Sequence, residues 1–355
     1  MASGLDGVVA AETVLSHVDG EAGRLILRGH DLETLAGHAG FEDVVAVLWQ
    51  GIVPTDDLRH MIAAARQRAF ARFAPMLPHL NGLTATEAMR ALLAALPDTD
   101  FASEPAALLG AAGTAAALAI RSERGEAPVT PDAALPHAAD LLRMIRGTAG
   151  DETEIAGLDT YLVTVMDHGL NASTFAARVV ASTAAGLPSS IVAGLCALKG
   201  PLHGGAPGPV LDMLDAIGAA DHAEAWIGAA LDRGERLMGF GHRIYQVRDP
   251  RADVLKAAIR RLHHRTDRIQ LAEAVEAAAL RALRARKTHR RLDTNVEYYT
   301  AVLLEALGIP REGFTPVFGA ARTAGWIAHA REQEQSGRLI RPLSRYTGPM
   351  PTEAA

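Results

Sequence analysis

Lys199-Gly200-Pro201-Leu202-His203-Gly204-Gly205 sets one histidine among glycines, directly after the apolar run Ile191 to Leu198. Glycine lets backbone approach a ligand closely and permits turns that other residues resist. Just beyond, Ala206-Pro207-Gly208-Pro209 resets the chain, and the spacing predicts a helix from Pro209 to Ile217. A histidine near a helix N-terminus is disfavoured as imidazolium, so His203 reads as a neutral hydrogen-bond donor. A tight-turn histidine would look the same locally, so the flanks have to decide.

Upstream, Val179 to Leu198 carries no charge and approaches membrane-spanning length, but Gly186, Pro188, Ser189 and Ser190 interrupt it. That pattern predicts two buried helices joined by a turn. Helical signals recur along the chain. Thr84 with Glu87 is a capping box opening Ala88 to Leu96, with Pro97 closing it. Phe41 to Trp49 is amphipathic and ends before Gly51, and Leu271 to Arg286 keeps its apolar residues on one side. Glu297 to Leu307 runs into Gly308 and Pro310. Strand-like alternation is scarce: Leu25 to Leu27 predicts a small hairpin arm, and Arg338 to Tyr346 an extended tail.

The 355 residues are 49% hydrophobic, largely Ala, Leu and Val, which suits a large helical core. A net charge of −6 argues against non-specific nucleic-acid binding. Met1 to Glu12 carries acids and lacks a basic region followed by an apolar block, so no secretory segment is expected and the location expected is the cytoplasm. Cys196 is the single cysteine, and its apolar run favours a structural thiol over a catalytic one. No metal signature is read: His263 and His264 are adjacent, and no spaced His or Cys pair occurs. Arg281, Arg284, Arg286 and Lys287 read as a solvated helix face.

Further segments carry chemistry-bearing residues. Gly239-Phe240-Gly241-His242 repeats the glycine-flanked histidine, and Asp249-Pro250-Arg251 follows; Arg251 suits bidentate carboxylate recognition, and His242 a carbonyl oxygen. Asp167-His168-Gly169-Leu170-Asn171-Ala172-Ser173-Thr174 sets a histidine where a helix begins, with Asn171 or Ser173 as the cap. Asn295 caps the helix whose first turn holds Glu297. Arg322 and Arg341 are two more cations, in Ala320 to Trp326 and Leu339 to Pro342.

Taken together and in this order, these segments resemble the citrate synthase family. The likeness runs from Gly4-Leu5-Asp6-Gly7-Val8-Val9-Ala10 and Gly23 to Gly29 through to Ala321-Arg322-Thr323-Ala324-Gly325-Trp326 and Arg341-Pro342. The resemblance implies an all-α fold with large and small helical domains around a closing cleft. Turn signals after Gly205 and near Gly308 place the large domain at 1–205 and 308–355 and the small one at 206–307. It implies a homodimer with no membrane or nucleic-acid partner. The implied reaction, a tricarboxylic acid cycle step, condenses acetyl-CoA with oxaloacetate and hydrolyses citryl-CoA. No cofactor is implied, the CoA thioester being a substrate. His203, His242 and Glu297 would be catalytic: a donor to the thioester oxygen, a donor to the ketone, and the base. His168, Arg251, Arg322 and, from the partner subunit, Arg341 would hold the oxaloacetate carboxylates.

Two positions depart from the family pattern. Glu297 stands where the family usually has Asp; one methylene adds about 1.5 Å, and a misplacement of ~1 Å can cost on the order of 100-fold in rate. Gln246 stands where relatives often carry Lys or Arg toward the CoA phosphates. Two other functions stay open: 2-methylcitrate synthase, which uses propionyl-CoA, and a weakly active or non-catalytic paralogue with a ligand-binding or regulatory role. One methylene is worth only ~1–3 kcal/mol of discrimination.

Overall fold

The computed structural model describes residues 5, 7–98, 104–204, 207–242, 244–263, 267–286 and 292–350. Gly205 and Ala206, and with them the expected domain boundary, lie outside the described residues, as do Arg243, His264 and Lys287.

The described residues are mostly helical. The sheet is a small antiparallel arm, with β1 (Ser16–Asp19) pairing β2 (Arg24–Leu27) and β2 pairing β3 (His30–Asp31). Helices follow as α1 (Leu32–Leu35), α2 (Phe41–Trp49), α3 (Leu58–Phe73), α4 (Ala85–Ala94), α5 (Pro105–Glu123), α6 (His137–Arg146), α7 (Glu152–Val165), α8 (Ala172–Ala181) and α9 (Leu187–Leu198). The second half adds α10 (Pro207–Ile217), α11 (Ala223–Asp232), α12 (Pro250–Arg261), α13 (Asp267–Arg286), α14 (Val296–Ala306) and α15 (Phe314–Ser336).

The core is built around α5. Proline at its first turn and a run rich in Ala and Leu make it a strong helix. By length and composition it could cross a membrane, yet 89% of its most apolar window is buried inside the protein. Such a helix is apolar all round because other helices cover it. Here α3, α4, α6 and α15 pack around it. The second half gathers α10, α11 and α14 around α13, while α12 lies against both α7 and α14.

Local signals explain most boundaries. The Thr84 capping box is present in full and opens α4. Asn171 caps α8 and Asn295 caps α14 through side-chain oxygens. The uncharged stretch to Leu198 is the end of α8 and all of α9, as its breakers predict. Beyond α15 the tail, residues 338–350, has no regular structure and is almost wholly exposed.

Two expectations need correcting. The helix expected from Leu271 begins at Asp267, because an acid can open a first turn without an apolar partner. Cys196 is exposed on α9 rather than buried, since the apolar run around it also covers the outer face of the helix. Arg281, Arg284 and Arg286 are exposed, as a solvated helix face requires, and pair there with Glu224, Asp293 and Asp232.

Candidate active site

A cavity of about 640 Å³ is lined by His168, His203, His242, Arg251, Glu297 and Arg322. Residues spread over more than 150 positions thus meet at one place. Arg341, the seventh expected site residue, is exposed and does not line the cavity of its own chain.

Two frames hold these side chains. The first is built on α8, α9 and α15. Gly325 lets α15 press on the turn before α8: a Cβ there would fall on the Met166 carbonyl and 2.7 Å from Asp167 Oδ1. That turn carries His168. Ser16 on β1 hydrogen-bonds Asp167 Oδ2, and its Oγ accepts from Gly169 N at 3.0 Å, tying the arm to the same turn. His203 follows α9 in a tight loop, where Gly204 N donates to Leu198 O at 2.9 Å and leaves no room for a Cβ.

The second frame joins the loop around His242 to the starts of α12 and α14. Asn295 Nδ2 donates to Gly241 O at 2.8 Å, and Gly241 N donates to Asp293 O at 2.8 Å. Asp249 caps α12 and grips Arg251 through two bonds, Nε at 3.0 Å and Nη2 at 2.9 Å. Its Oδ2 also accepts from Val296 N at 3.0 Å, so Arg251 and Glu297 share one anchor.

Hydrogen bonds assign proton positions. His242 Nδ1 accepts from the backbone N–H of Ile244 and of Tyr245, both at 3.0 Å. A neutral ring that accepts at Nδ1 carries its proton on Nε2. That nitrogen lies 3.2 Å from Arg251 Nη2, also a donor. Two donors side by side mark where an acceptor oxygen belongs. His203 Nε2 lies 2.9 Å from Ser173 Oγ. Trp326 Nε1 donates to the same oxygen at 3.2 Å, and Asn171 Oδ1 is 2.8 Å away. The Ser173 proton therefore goes to Asn171 or to His203. When it goes to His203, the imidazole proton sits on Nδ1.

Charge is arranged to keep the histidines neutral. Burial, then Arg322, pushes His203 down to about 4, and burial, then Arg251, does the same to His242. Burial with Arg251 and Arg322 holds His168 well below its ordinary value. Burial and the Arg322 charge thus act in the same direction as the helix start expected to keep His203 neutral. Burial alone would lower Arg251, but its Asp249 partner outweighs this and raises it. Arg322 is 1% exposed, donates from Nε to Val165 O at 2.6 Å, and stacks 4.8 Å from the Phe318 ring. Burial brings it down to about 10 against the opposing pull of Asp167. Burial raises Glu297, with Arg251 and Arg236 opposing, and its carboxylate hydrogen-bonds none of the described residues. The cavity thus sets one unengaged carboxylate among neutral imidazole donors and buried guanidinium groups.

The family model described as "Citrate synthase, C-terminal domain" matches residues 4–343. The chain belongs to the citrate synthase family. It is therefore an enzyme of the acyltransferase type. Citrate synthase of Haloferax volcanii is 38% identical over 364 residues, covering 97% of this chain and 95% of that protein. The crystal structure of citrate synthase from Pyrobaculum aerophilum superposes with a TM-score of 0.89 at 31% identity, covering 99% of this chain and 93% of that one. The Thermoplasma acidophilum enzyme, solved as a ternary complex with carboxymethyl coenzyme A and oxaloacetate, gives 0.86 at 27%, covering 100% and 98%.

Within this citrate synthase fold, six of the seven residues singled out in the sequence converge. Asp293, four residues before Glu297, lies beside Arg284 rather than in the cavity. Sequence reasoning missed Tyr161 and Arg236, which also line the cavity. Neither carries a local motif. Ser173 was visible only as a possible helix cap, and its contact with His203 spans 30 residues.

Proposed function

We propose that this enzyme condenses acetyl-CoA with oxaloacetate and hydrolyses the resulting citryl-CoA to citrate and CoA. The observation that carries this reading is Glu297, a carboxylate with a raised pKa and no hydrogen-bond partner among the described residues, sharing one cavity with three neutral histidines and two buried arginines.

A thioester methyl is weakly acidic, so its deprotonation needs a base at the carbon and a donor at the carbonyl oxygen. Glu297 takes the proton. A positively charged histidine would be a stronger acid, but a neutral one held in place stabilises an enol without being consumed as a free proton source. His203 supplies that donor from Nδ1 when Ser173 donates to its Nε2. The His242 Nε2–H, beside Arg251, polarises the oxaloacetate ketone and stabilises the alkoxide that forms as the new carbon–carbon bond closes. His168, Arg251 and Arg322 hold the carboxylates, and a dianion in a closed cleft needs several fixed cations. The exposed tail carries Arg341 out of its own cavity, which fits a homodimer in which that residue completes the partner's site. Residues 206–307 would form the smaller domain that closes over substrate.

The longer reach of Glu297 is the feature that could favour propionyl-CoA, by placing the carboxylate differently against the acyl group. CoA release measured with acetyl-CoA and propionyl-CoA side by side, with and without oxaloacetate, tests the reading. Oxaloacetate-dependent release, faster with acetyl-CoA, is expected. Faster turnover of propionyl-CoA would reassign the enzyme as a 2-methylcitrate synthase, and no release from either would mark a non-catalytic paralogue.

A further inference from the structure

Two polar atoms on the wall of the cavity are buried yet have no hydrogen-bond partner among the described residues. One is Arg322 Nη1; the other is the hydroxyl of Tyr161, on α7 and 0% exposed. A buried donor without an acceptor is costly, and a native fold tolerates it mainly where a ligand or an ordered water completes the bond. The two groups belong to one electrostatic neighbourhood, since the titrations of Tyr161 and Arg322 are coupled through space. The backbone explains how they come together. Arg322 Nε is bonded to the carbonyl of Val165, one helical turn beyond Tyr161 on α7, so the guanidinium is pinned against that helix.

The hydroxyl is also the right chemical kind for an anion. Burial keeps the phenol protonated, so it can only donate toward a negative oxygen. Phenylalanine would fill the same space without an unsatisfied oxygen, so packing alone does not account for a tyrosine at this position.

We propose that Tyr161 is a substrate-binding residue whose hydroxyl donates to the carboxylate that Arg322 pairs with, the ligand class being a dicarboxylate 2-oxo acid. This rests on the oxaloacetate reading above. The closing of the cleft around substrate brings the carboxylate oxygen to both donors at once, giving each the bond it lacks. In the free enzyme both are closed off from bulk water.

Tyr161→Phe tests the idea, read by oxaloacetate KM, kcat, acetyl-CoA KM and the rise in melting temperature on adding oxaloacetate. A hydrogen bond to a charged group implies a rise in oxaloacetate KM of roughly 10-fold or more. kcat should stay within about threefold and the acetyl-CoA KM should be unchanged, because the lost contact is to a carboxylate held alike in ground and transition states. The melting temperature without substrate should match or exceed that of the wild type, while the oxaloacetate-induced rise shrinks. A substrate-free melting temperature well below wild type would show Tyr161 to be structural and overturn the proposal. So would an unchanged oxaloacetate KM in an active Tyr161→Phe enzyme, or a fall in kcat alone. Failure of the oxaloacetate reading looks different: wild type would then show neither oxaloacetate-dependent CoA release nor an oxaloacetate-induced rise, and the proposal would fall with it.

Discussion

Replacing Ser173 by alanine removes the group that decides which nitrogen of His203 carries the proton. Ser173 is fully buried, with His203 Nε2 at 2.9 Å, Asn171 Oδ1 at 2.8 Å and Trp326 Nε1 at 3.2 Å around one oxygen. Two costs follow from that geometry. The indole N–H of Trp326 loses its acceptor in a buried place, which costs about 1–3 kcal/mol of stability. In the arrangement where Ser173 donates to Nε2, His203 also loses the partner that holds its proton on Nδ1, so the ring no longer presents N–H to the thioester oxygen by default. Loss of one such preorganised donor typically lowers kcat by about 10²–10³. The asymmetry matters: in the proposed mechanism oxaloacetate is held by His168, His242 and the arginines, so its KM should change by less than about threefold. Steady-state kinetics, with solvent deuterium incorporation into the acetyl-CoA methyl as a direct readout of enolisation, would separate the two costs. A Ser173→Ala enzyme that folds and keeps kcat within about threefold would refute the assignment of His203 as a tautomer-controlled donor.

The remaining predictions concern the base, the pH response and the partner subunit. Glu297→Gln should abolish turnover while leaving oxaloacetate binding in place, and Glu297→Asp should keep measurable activity; a Gln variant near wild-type rate would remove Glu297 from the mechanism. Glu297 must be ionised to act, and burial raises it above 4.5, whereas His203 and His242 stay neutral down to about 4. kcat/KM should therefore fall with one acid limb lying above pH 4.5, and a limb below that value would contradict the assignment. The same two histidines titrate at 6.5 when unfolded, so the unfolded chain binds protons first and folding stability should drop as pH falls from 6.5 toward 4. Thermal melts across that range check the sign, and a melting temperature that rises on acidification would be wrong for it. Mixing Glu297→Gln with Arg341→Ala subunits should restore about a quarter of wild-type activity, since half the dimers are mixed and each then has one intact site; no restoration would mean that Arg341 does not cross the interface.

Much of this site was legible because its residues sit in local patterns with mechanical reasons. Asn171 and Asn295 read as helix caps, and both are, which fixes the turns bearing His168 and Glu297. Glycines around His203 and His242 marked close backbone turns, and Gly204 does pack against Leu198. What escaped were properties created only by distant contacts. Tyr161 looks like any helical core aromatic until its hydroxyl is found unpartnered beside Arg322. Ser173 lies one position into a helix, and nothing in its neighbours reveals a bond to a histidine 30 residues on. Cys196 shows the reverse error: an apolar run was taken as burial, although one face of α9 is left uncovered. The neutrality of His203 was legible from the helix start, whereas the burial and the Arg322 charge that also favour it are tertiary effects.

The central claim is that this cavity joins the methyl carbon of acetyl-CoA to the ketone carbon of oxaloacetate. Incubation with oxaloacetate and acetyl-CoA labelled with ¹³C at the methyl, followed by identification of the product, tests it most directly. Citrate carrying the label in a methylene group, formed in equal amount to the free CoA, is the predicted result. CoA release that proceeds without oxaloacetate, or that leaves the label in acetate, would contradict it.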